Sequence, residues 1–231
     1  MGRNRREIRL ASFLAKCGVA SRRKSEVIIE SGRVKIAGGV VTDVATNVSP
    51  DATDVSLDNK LLQPDFKVYY LLNKPRGYVC TVTDRYNPQT VLSLVPKLPK
   101  VFPVGRLDKE SQGLLLLTND GDLAFKLTHP KFEIKKTYIV RIDRPFTEEM
   151  AGQLLKGMKF NEGWARADAV ENKGNGYIQI VLHQGFKRQI RRMLDELGCN
   201  VLTLIRQSEG KLDLGNLPLG QYRILSKEEI K

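Results

Sequence analysis

The chain has 231 residues, with 38 Lys and Arg against 26 Asp and Glu, a formal charge of +12, and 41% hydrophobic residues. That apolar content suffices for one or two packed domains, and the positive balance points to nucleic acid or an anionic membrane surface as partner rather than to any particular fold. No apolar run reaches the roughly 18–20 residues that span a bilayer, three scattered cysteines (Cys17, Cys80, Cys199) argue against a disulfide framework, and two histidines (His129, His183) offer no local metal-ligand spacing.

Neither a phosphate-binding G-x-x-x-x-G-K-[ST] loop nor a G-x-G-x-x-G fingerprint occurs. The expectation is therefore no metal and no cofactor, with any chemistry resting on carboxylates, Tyr, Lys and Arg. The Arg-rich start, MGRNRREIRLASFLAK, lacks the apolar core and cleavage site of a secretory signal. The reading is a cytoplasmic protein; an organelle transit peptide is the alternative, and Glu7 counts against it.

Residues 1–7 read as a basic arm. Over 8–17, Ile8, Phe13 and Leu14, with Leu10 nearby, form a helix-like stripe that Gly18 can end, and Ser21 can cap a second helix that runs to Gly32. RVKIAGGVVT then reads as a hairpin turning at Gly38-Gly39. The first 35 residues carry ten Lys or Arg and three acids. Arg22, Arg23 and Lys24 fall in the first turn of the second helix, where the macrodipole disfavours cations, and a bound phosphate would relieve that conflict. A solvated charged face is the plainer alternative.

RLASFLAKCGVASRRKSEVIIESGRVKIAGGVV resembles the RNA-binding module of the ribosomal protein S-four type, the alpha-L motif. The resemblance implies a small domain over 8–60 and implicates Arg9, Lys16, Arg22, Arg23, Lys24, Arg33 and Lys35 in RNA contact.

Residues 61–67 read as a linker, and a second domain is expected over 68–231. Its strands are KVYYLLNK, closed by Lys74-Pro75 and a Gly77 turn, LLLLT (114–118) and KTYIVRID (136–143). A helix follows the Asn119-Asp120-Gly121 turn and stops at Pro130. WARADAVENKGNGYIQIVLHQG reads as a hairpin closed around Gly174-Asn175-Gly176. RQIRRMLDELG (188–198) reads as a helix with Ile190, Met193, Leu194 and Leu197 on its apolar face. The fold class is α+β, with a mixed, largely antiparallel sheet flanked by helices.

Two constellations can carry chemistry. Lys187, Arg188, Arg191 and Arg192 gather at the start of the last helix, the last three at i, i+3 and i+4 on one basic face. In GRLDKESQG, Asp108 precedes an apolar strand. Spacing alone does not rank two readings: a structural partner of Arg106, Lys109 or a distant Arg, or a nucleophile or base kept ionised by a neighbouring Arg.

VGRLDKESQGLLLLTNDGDL resembles the catalytic signature of the RsuA/RluB/RluE/RluF-type ribosomal RNA pseudouridine synthases, and LLNKPRGYVCT, KKTYIV and QGFKRQIRRM follow in that family's order. The resemblance implies that Asp108 attacks the uridine ribose or otherwise assists glycosidic cleavage. It further implies that Arg106 positions or displaces the target nucleotide, that Tyr138 stacks on the uracil and helps remove the C5 proton, and that Arg191 pairs with Asp108. Leu204 would pack against the base, and Lys74, Lys187, Arg188 and Arg192 would hold the substrate. On the residues alone Tyr138 is an ordinary strand aromatic.

The implied activity is isomerisation of a uridine to pseudouridine in ribosomal RNA, large-subunit rRNA or a pre-ribosomal particle being favoured, by a monomer with no membrane partner. Small-subunit rRNA and tRNA stay open as targets. A non-catalytic RNA-binding or ribosome-assembly factor is the alternative from another class, and a DNA-binding regulator is weak for want of a helix-turn-helix dimer pattern.

Overall fold

The computed structural model describes residues 7–82 and 89–230, so all but Glu7 of the expected basic arm lies outside the described residues. The chain divides into two compact units, Met1–Lys67 and Val68–Lys231.

The first unit contains β1 (Ile8–Arg9), α1 (Leu10–Lys16), α2 (Arg22–Glu30), β2 (Val34–Ile36), β3 (Gly39–Val41), β4 (Asn47–Val48), β5 (Val55–Leu57) and β6 (Lys60–Leu61). The apolar side of α1 buries Leu10, Ala11, Phe13 and Leu14 against Ile29 of α2, Val34, Val48 and Val55. Gly18, at φ +69°, takes the chain out of α1 in a conformation that a Cβ would disfavour. Ser21 caps α2, its hydroxyl accepting the Lys24 N–H.

The β2–β3 turn uses Ala37 and Gly38, both with positive φ, because Gly39 already pairs with Ile36. The turn therefore sits one residue earlier than expected, with the type I′ geometry that suits a two-residue hairpin. Strands run in the order β3-β2-β5-β6, beside a separate β1–β4 pair. The stretch expected to be a linker is instead tied into this unit: the Leu62 N–H donates to Val55 O, and the Asp65 N–H to Lys16 O.

The second unit contains β7 (Tyr69–Lys74), β8 (Phe102–Pro103), β9 (Gln112–Thr118), α3 (Gly121–Thr128), β10 (Lys136–Ile142), α4 (Glu148–Lys156), β11 (Met158–Phe160), β12 (Gly163–Ala165), β13 (Ala169–Gly174), β14 (Tyr177–Leu182), α5 (Gln189–Glu196), β15 (Val201–Glu209), β16 (Leu212–Asp213) and β17 (Tyr222–Ile224). Its main sheet runs β13-β14-β10-β15-β9-β7-β17, with β16 on β15 and β8 on β9. Among the described residues, only the β15–β9 pairing of this sheet's strands is parallel. The unit is α+β with a mixed, largely antiparallel sheet.

The uninterrupted apolar runs of β7 and β9 follow from burial on both faces. Tyr69, Leu71, Leu114 and Leu116 pack towards α3, while Tyr70, Leu72, Leu115 and Leu117 pack towards Val91, Val95 and Val101. Asp120 caps α3 through its carboxylate and also accepts the Tyr69 hydroxyl at 2.9 Å. The expected hairpin is shorter than its sequence span: Trp164 and Ala165 form a separate pair, β11–β12, and the hairpin proper is β13–β14, turning at Asn175 (φ +52°) and Gly176 (φ +74°). α5 starts at Gln189, and Arg188 stands before it as a left-handed cap residue at φ +52°.

Candidate active site

A cavity of about 460 Å3 opens in the second unit where the 105–111 loop, β10, the 184–188 loop and β15 converge. Its size suits a nucleoside-sized ligand. Asp108, Arg106, Tyr138, Leu204, Lys187 and Arg188 all line it, together with Lys136, Arg206 and Glu209. Two strands five apart in sequence order, β10 and β15, thus deliver their side chains to one place.

The loop that presents Asp108 is fixed by its backbone. Val104 and Leu107 are buried on either side of Gly105-Arg106, and the Leu107 N–H points to Cys80 Sγ at 3.4 Å. The Asp108 carbonyl accepts the Ser111 N–H at 3.0 Å, and the Lys109 carbonyl accepts the Gly77 N–H at 2.9 Å. Lys74 completes the clamp. It is 0% exposed, and its ammonium donates to the carbonyls of Pro75 (3.1 Å), Asp108 (3.1 Å), Lys109 (3.4 Å) and Ser111 (2.8 Å). Burial pushes its pKa down, while Cys80, Glu110 and Asp108 act to raise it. The expected place of Lys74 among the substrate contacts is not what the structure shows: its ammonium is engaged by four carbonyls of the protein. It is a buried cation that holds the aspartate loop in shape.

The basic cluster near α5 is also rearranged. Arg188 lies outside the helix, so the expected i, i+3, i+4 face does not form. Arg192 is not among the residues that line the cavity: it makes a two-pronged pair with Glu162 (2.8 and 3.1 Å), donates to Lys187 O (3.2 Å) and lies 3.9 Å over the Phe160 ring. That geometry combines ion pairing with stacking on an aromatic face, and it commits Arg192 to the protein. Arg191 donates to Val201 O (3.2 Å) and Glu110 O (3.4 Å) and forms no direct ion pair with Asp108, contrary to expectation. Burial and Arg188 lower its pKa, whereas the charge of Asp108 acts to raise it, so the two groups still feel one another's field. Arg106 is exposed at the cavity and Asp108 is half-buried.

Two groups that sequence reasoning did not single out stand at the floor of the cavity. Arg206 is 2% exposed and Glu209 0%. Alternation along β15 puts Leu204 and Arg206 on one face. A bulge between Thr137 and Tyr138 then shifts the β10–β15 register, so that Glu209, an odd step from Arg206, joins the same face opposite Lys136. Period two would have found Arg206, but only the bulge brings Glu209 there.

Close packing at this junction demands a glycine. Gly113 pairs with Arg206 across β9–β15 at φ +103°, and a Cβ there would lie 2.3 Å from the Arg206 carbonyl oxygen and 2.7 Å from its nitrogen. Gly113→Ala is expected to destabilise the unit by about 3–4 kcal/mol, from backbone strain plus overpacking. A lowered urea midpoint with an unchanged denaturant slope would register it.

In the first unit, Arg22, Arg23 and Lys24 project from the exposed first turn of α2. Arg33 is held by Asp58 (2.9 and 2.5 Å), Lys35 donates to Asn59 (2.9 Å), and Arg9 donates to Ala45 O. Lys16 closes the last turn of α1. The Arg33–Asp58 pair is half-exposed, where such pairs hold weakly. Among the described residues no group of His, Cys, Asp and Glu could hold a metal ion, and no helix is long and apolar enough to cross a membrane.

A small helix-and-strand unit joined to a mixed-sheet unit with a carboxylate, a tyrosine and several arginines around one cavity defines a class of RNA-modifying protein, and the comparisons with known proteins specify which. The pattern of the RNA pseudouridylate synthases matches residues 68–196, and that of the S4 domain matches residues 8–54. The chain is 37% identical to the ribosomal large subunit pseudouridine synthase B of Bacillus subtilis (strain 168) over 230 residues, covering 96% of this chain and 94% of that protein. It is 36% identical to an uncharacterized RNA pseudouridine synthase of Aquifex aeolicus (strain VF5), covering 97% and 92%. A crystal structure of a pseudouridylate synthase superposes with a TM-score of 0.69 at 29% identity, covering 96% of this chain and 98% of that one. The chain belongs to the RNA pseudouridylate synthase family and carries an N-terminal S4 domain.

Proposed function

We propose that this enzyme converts a uridine of large-subunit ribosomal RNA to pseudouridine in the cytoplasm, with Asp108 as the nucleophile. The observation that carries the reading is the convergence of Asp108, Tyr138 and Arg106 on one nucleoside-sized cavity. The large-subunit target is supported by the near full-length similarity to the Bacillus subtilis synthase.

The reaction needs the uridine out of its stack and against an apolar or aromatic wall, which Leu204 and Tyr138 offer. In the proposed sequence the Asp108 carboxylate attacks C1′, and the N1–C1′ bond breaks with its electron pair passing to the uracil. The base turns within the cavity, and C5 attacks C1′ as the bond to Asp108 breaks and returns the carboxylate. Tyr138, as phenolate, removes the C5 proton, the C5–H electrons restore the C5=C6 double bond, N1 takes a proton from solvent, and the phenol returns the C5 proton to solvent. Atoms and electrons balance without an oxidant or reductant.

Arg106, exposed at the cavity, is proposed to take the space or the phosphate of the displaced nucleotide, with Lys187 and Arg188 meeting the flanking backbone. Arg22, Arg23 and Lys24, grouped at the N-terminal turn of α2, are proposed to bind a second stretch of the RNA, where helix amides add to the attraction for phosphate.

The test uses unmodified large-subunit rRNA carrying tritium at C5 of its uridines. The enzyme is expected to release tritium up to one equivalent per modified site, and small-subunit rRNA and tRNA to release none. Release from one of those instead would move the target. No release from any RNA, free or in immature particles, would return the chain to the RNA-binding reading.

A further inference from the structure

We propose that Arg206, held between the Leu114 carbonyl and Glu209, is the positioning residue that sets Tyr138 for its step on the uracil. This rests on the proposed role of Tyr138.

Arg206 and Tyr138 are direct partners across the β10–β15 ladder, and both line the cavity. An arginine that is 2% exposed needs a reason, because removing a guanidinium from water costs several kcal/mol. Its surroundings satisfy it only in part. Nε donates to Leu114 O at 2.8 Å, on the strand that leads out of the Asp108 loop. Nη2 stands 3.5 Å from Glu209 Oε2 without an aligned hydrogen bond, and neither that nitrogen nor either Glu209 oxygen has a hydrogen-bonding partner. Such a half-satisfied buried pair is poor value as a structural device, since a well-packed apolar residue serves stability as well or better.

What the pair does supply is a fixed positive charge against the phenol. The guanidinium cannot lose its proton, and its strand position is locked by Gly113 on one side and Tyr138 on the other. Burial raises the Tyr138 pKa, Arg206 opposes that rise, and Glu209 and Asp108 add to it. The charged groups facing the phenol are thus Arg206 and Glu209 from β15 and Asp108 from its loop, with Lys136 two residues away on its own strand. To take the C5 proton the phenol must first be a phenolate, so Arg206 promotes the active form and Glu209 restrains it.

The two partners should therefore act in opposite directions, which a packing role would not produce. In single-turnover tritium release with saturating enzyme, Arg206→Gln is expected to lose about 10–100-fold in rate with RNA affinity within twofold of wild type. Its rate–pH rise should move to higher pH. Arg206→Lys keeps the charge without the planar fork and recovers part of the loss. Glu209→Gln is expected to move the rise to lower pH, opposite to Arg206→Gln.

If Arg206→Gln does not fold, the contrast between Arg206→Lys and Glu209→Gln carries the test. A common loss in both variants with an unmoved rate–pH curve would mean a structural pair and overturn the proposal, as would an Arg206→Gln rate equal to wild type. Failure of the wild-type enzyme to release tritium is a separate outcome, and removes the role of Tyr138 on which the inference stands.

Discussion

Asp108→Asn is expected to lower tritium release from C5-labelled large-subunit rRNA by about ten-thousand-fold or more, because a neutral amide cannot attack C1′. The substitution is nearly isosteric, and the loop is held through its backbone by Lys74, Ser111 and Gly77, so the fold should survive unchanged. RNA affinity should hold or rise several-fold, since one negative charge leaves a surface that meets phosphates. Mass spectrometry of the product RNA and a filter-binding titration read the two effects. Persistent isomerisation at the wild-type rate would remove Asp108 from the chemistry. Unchanged modification with tighter binding would mark it as a structural acid.

The second large effect is on stability and comes from a residue that touches no substrate. Lys74→Met is expected to cost about 3–4 kcal/mol, because the carbonyls of Pro75 and Ser111 lose a charge-assisted donor inside the protein while the Asp108 and Lys109 carbonyls each keep one backbone N–H. Chemical denaturation would show the loss as a lower midpoint. Activity should fall as well, in the rate of the chemical step rather than in RNA affinity, since the Asp108 loop loosens at the point where the carboxylate must be aimed. A Lys74→Met enzyme of wild-type stability with weakened RNA binding would restore Lys74 to the substrate contacts.

Lys74 and Arg192 show why charge alone misassigns function. Both are cations next to recognisable motifs, and both are engaged by the protein itself: one by four carbonyls, the other by Glu162 and Phe160. A basic residue at the end of a buried strand has two ways to be satisfied, by a ligand's phosphate or by carbonyls of a crossing loop. Which one applies depends on whether a loop crosses there.

Much of the molecule was readable before folding. The helical stripe and the glycine stop of α1, the serine cap of α2, the buried runs of β7 and β9, and the Gly-Asn-Gly turn of β13–β14 all follow from local chemistry: hydrophobic period, capping oxygens and positive-φ glycines. The Gly-Arg-Leu-Asp stretch likewise stood out, because a carboxylate ahead of an apolar strand works against polyanion binding unless it has a structural partner or a chemical role.

What the tertiary structure alone decided is the partnership of residues far apart in the chain. Arg206 meets Leu114 across 92 positions, Lys74 meets Ser111 across 37, and Glu209 reaches the floor of the cavity only because one bulge shifts a register. Burial and charge pairing are properties of the space between strands, and local sequence carries no record of which strand will lie alongside.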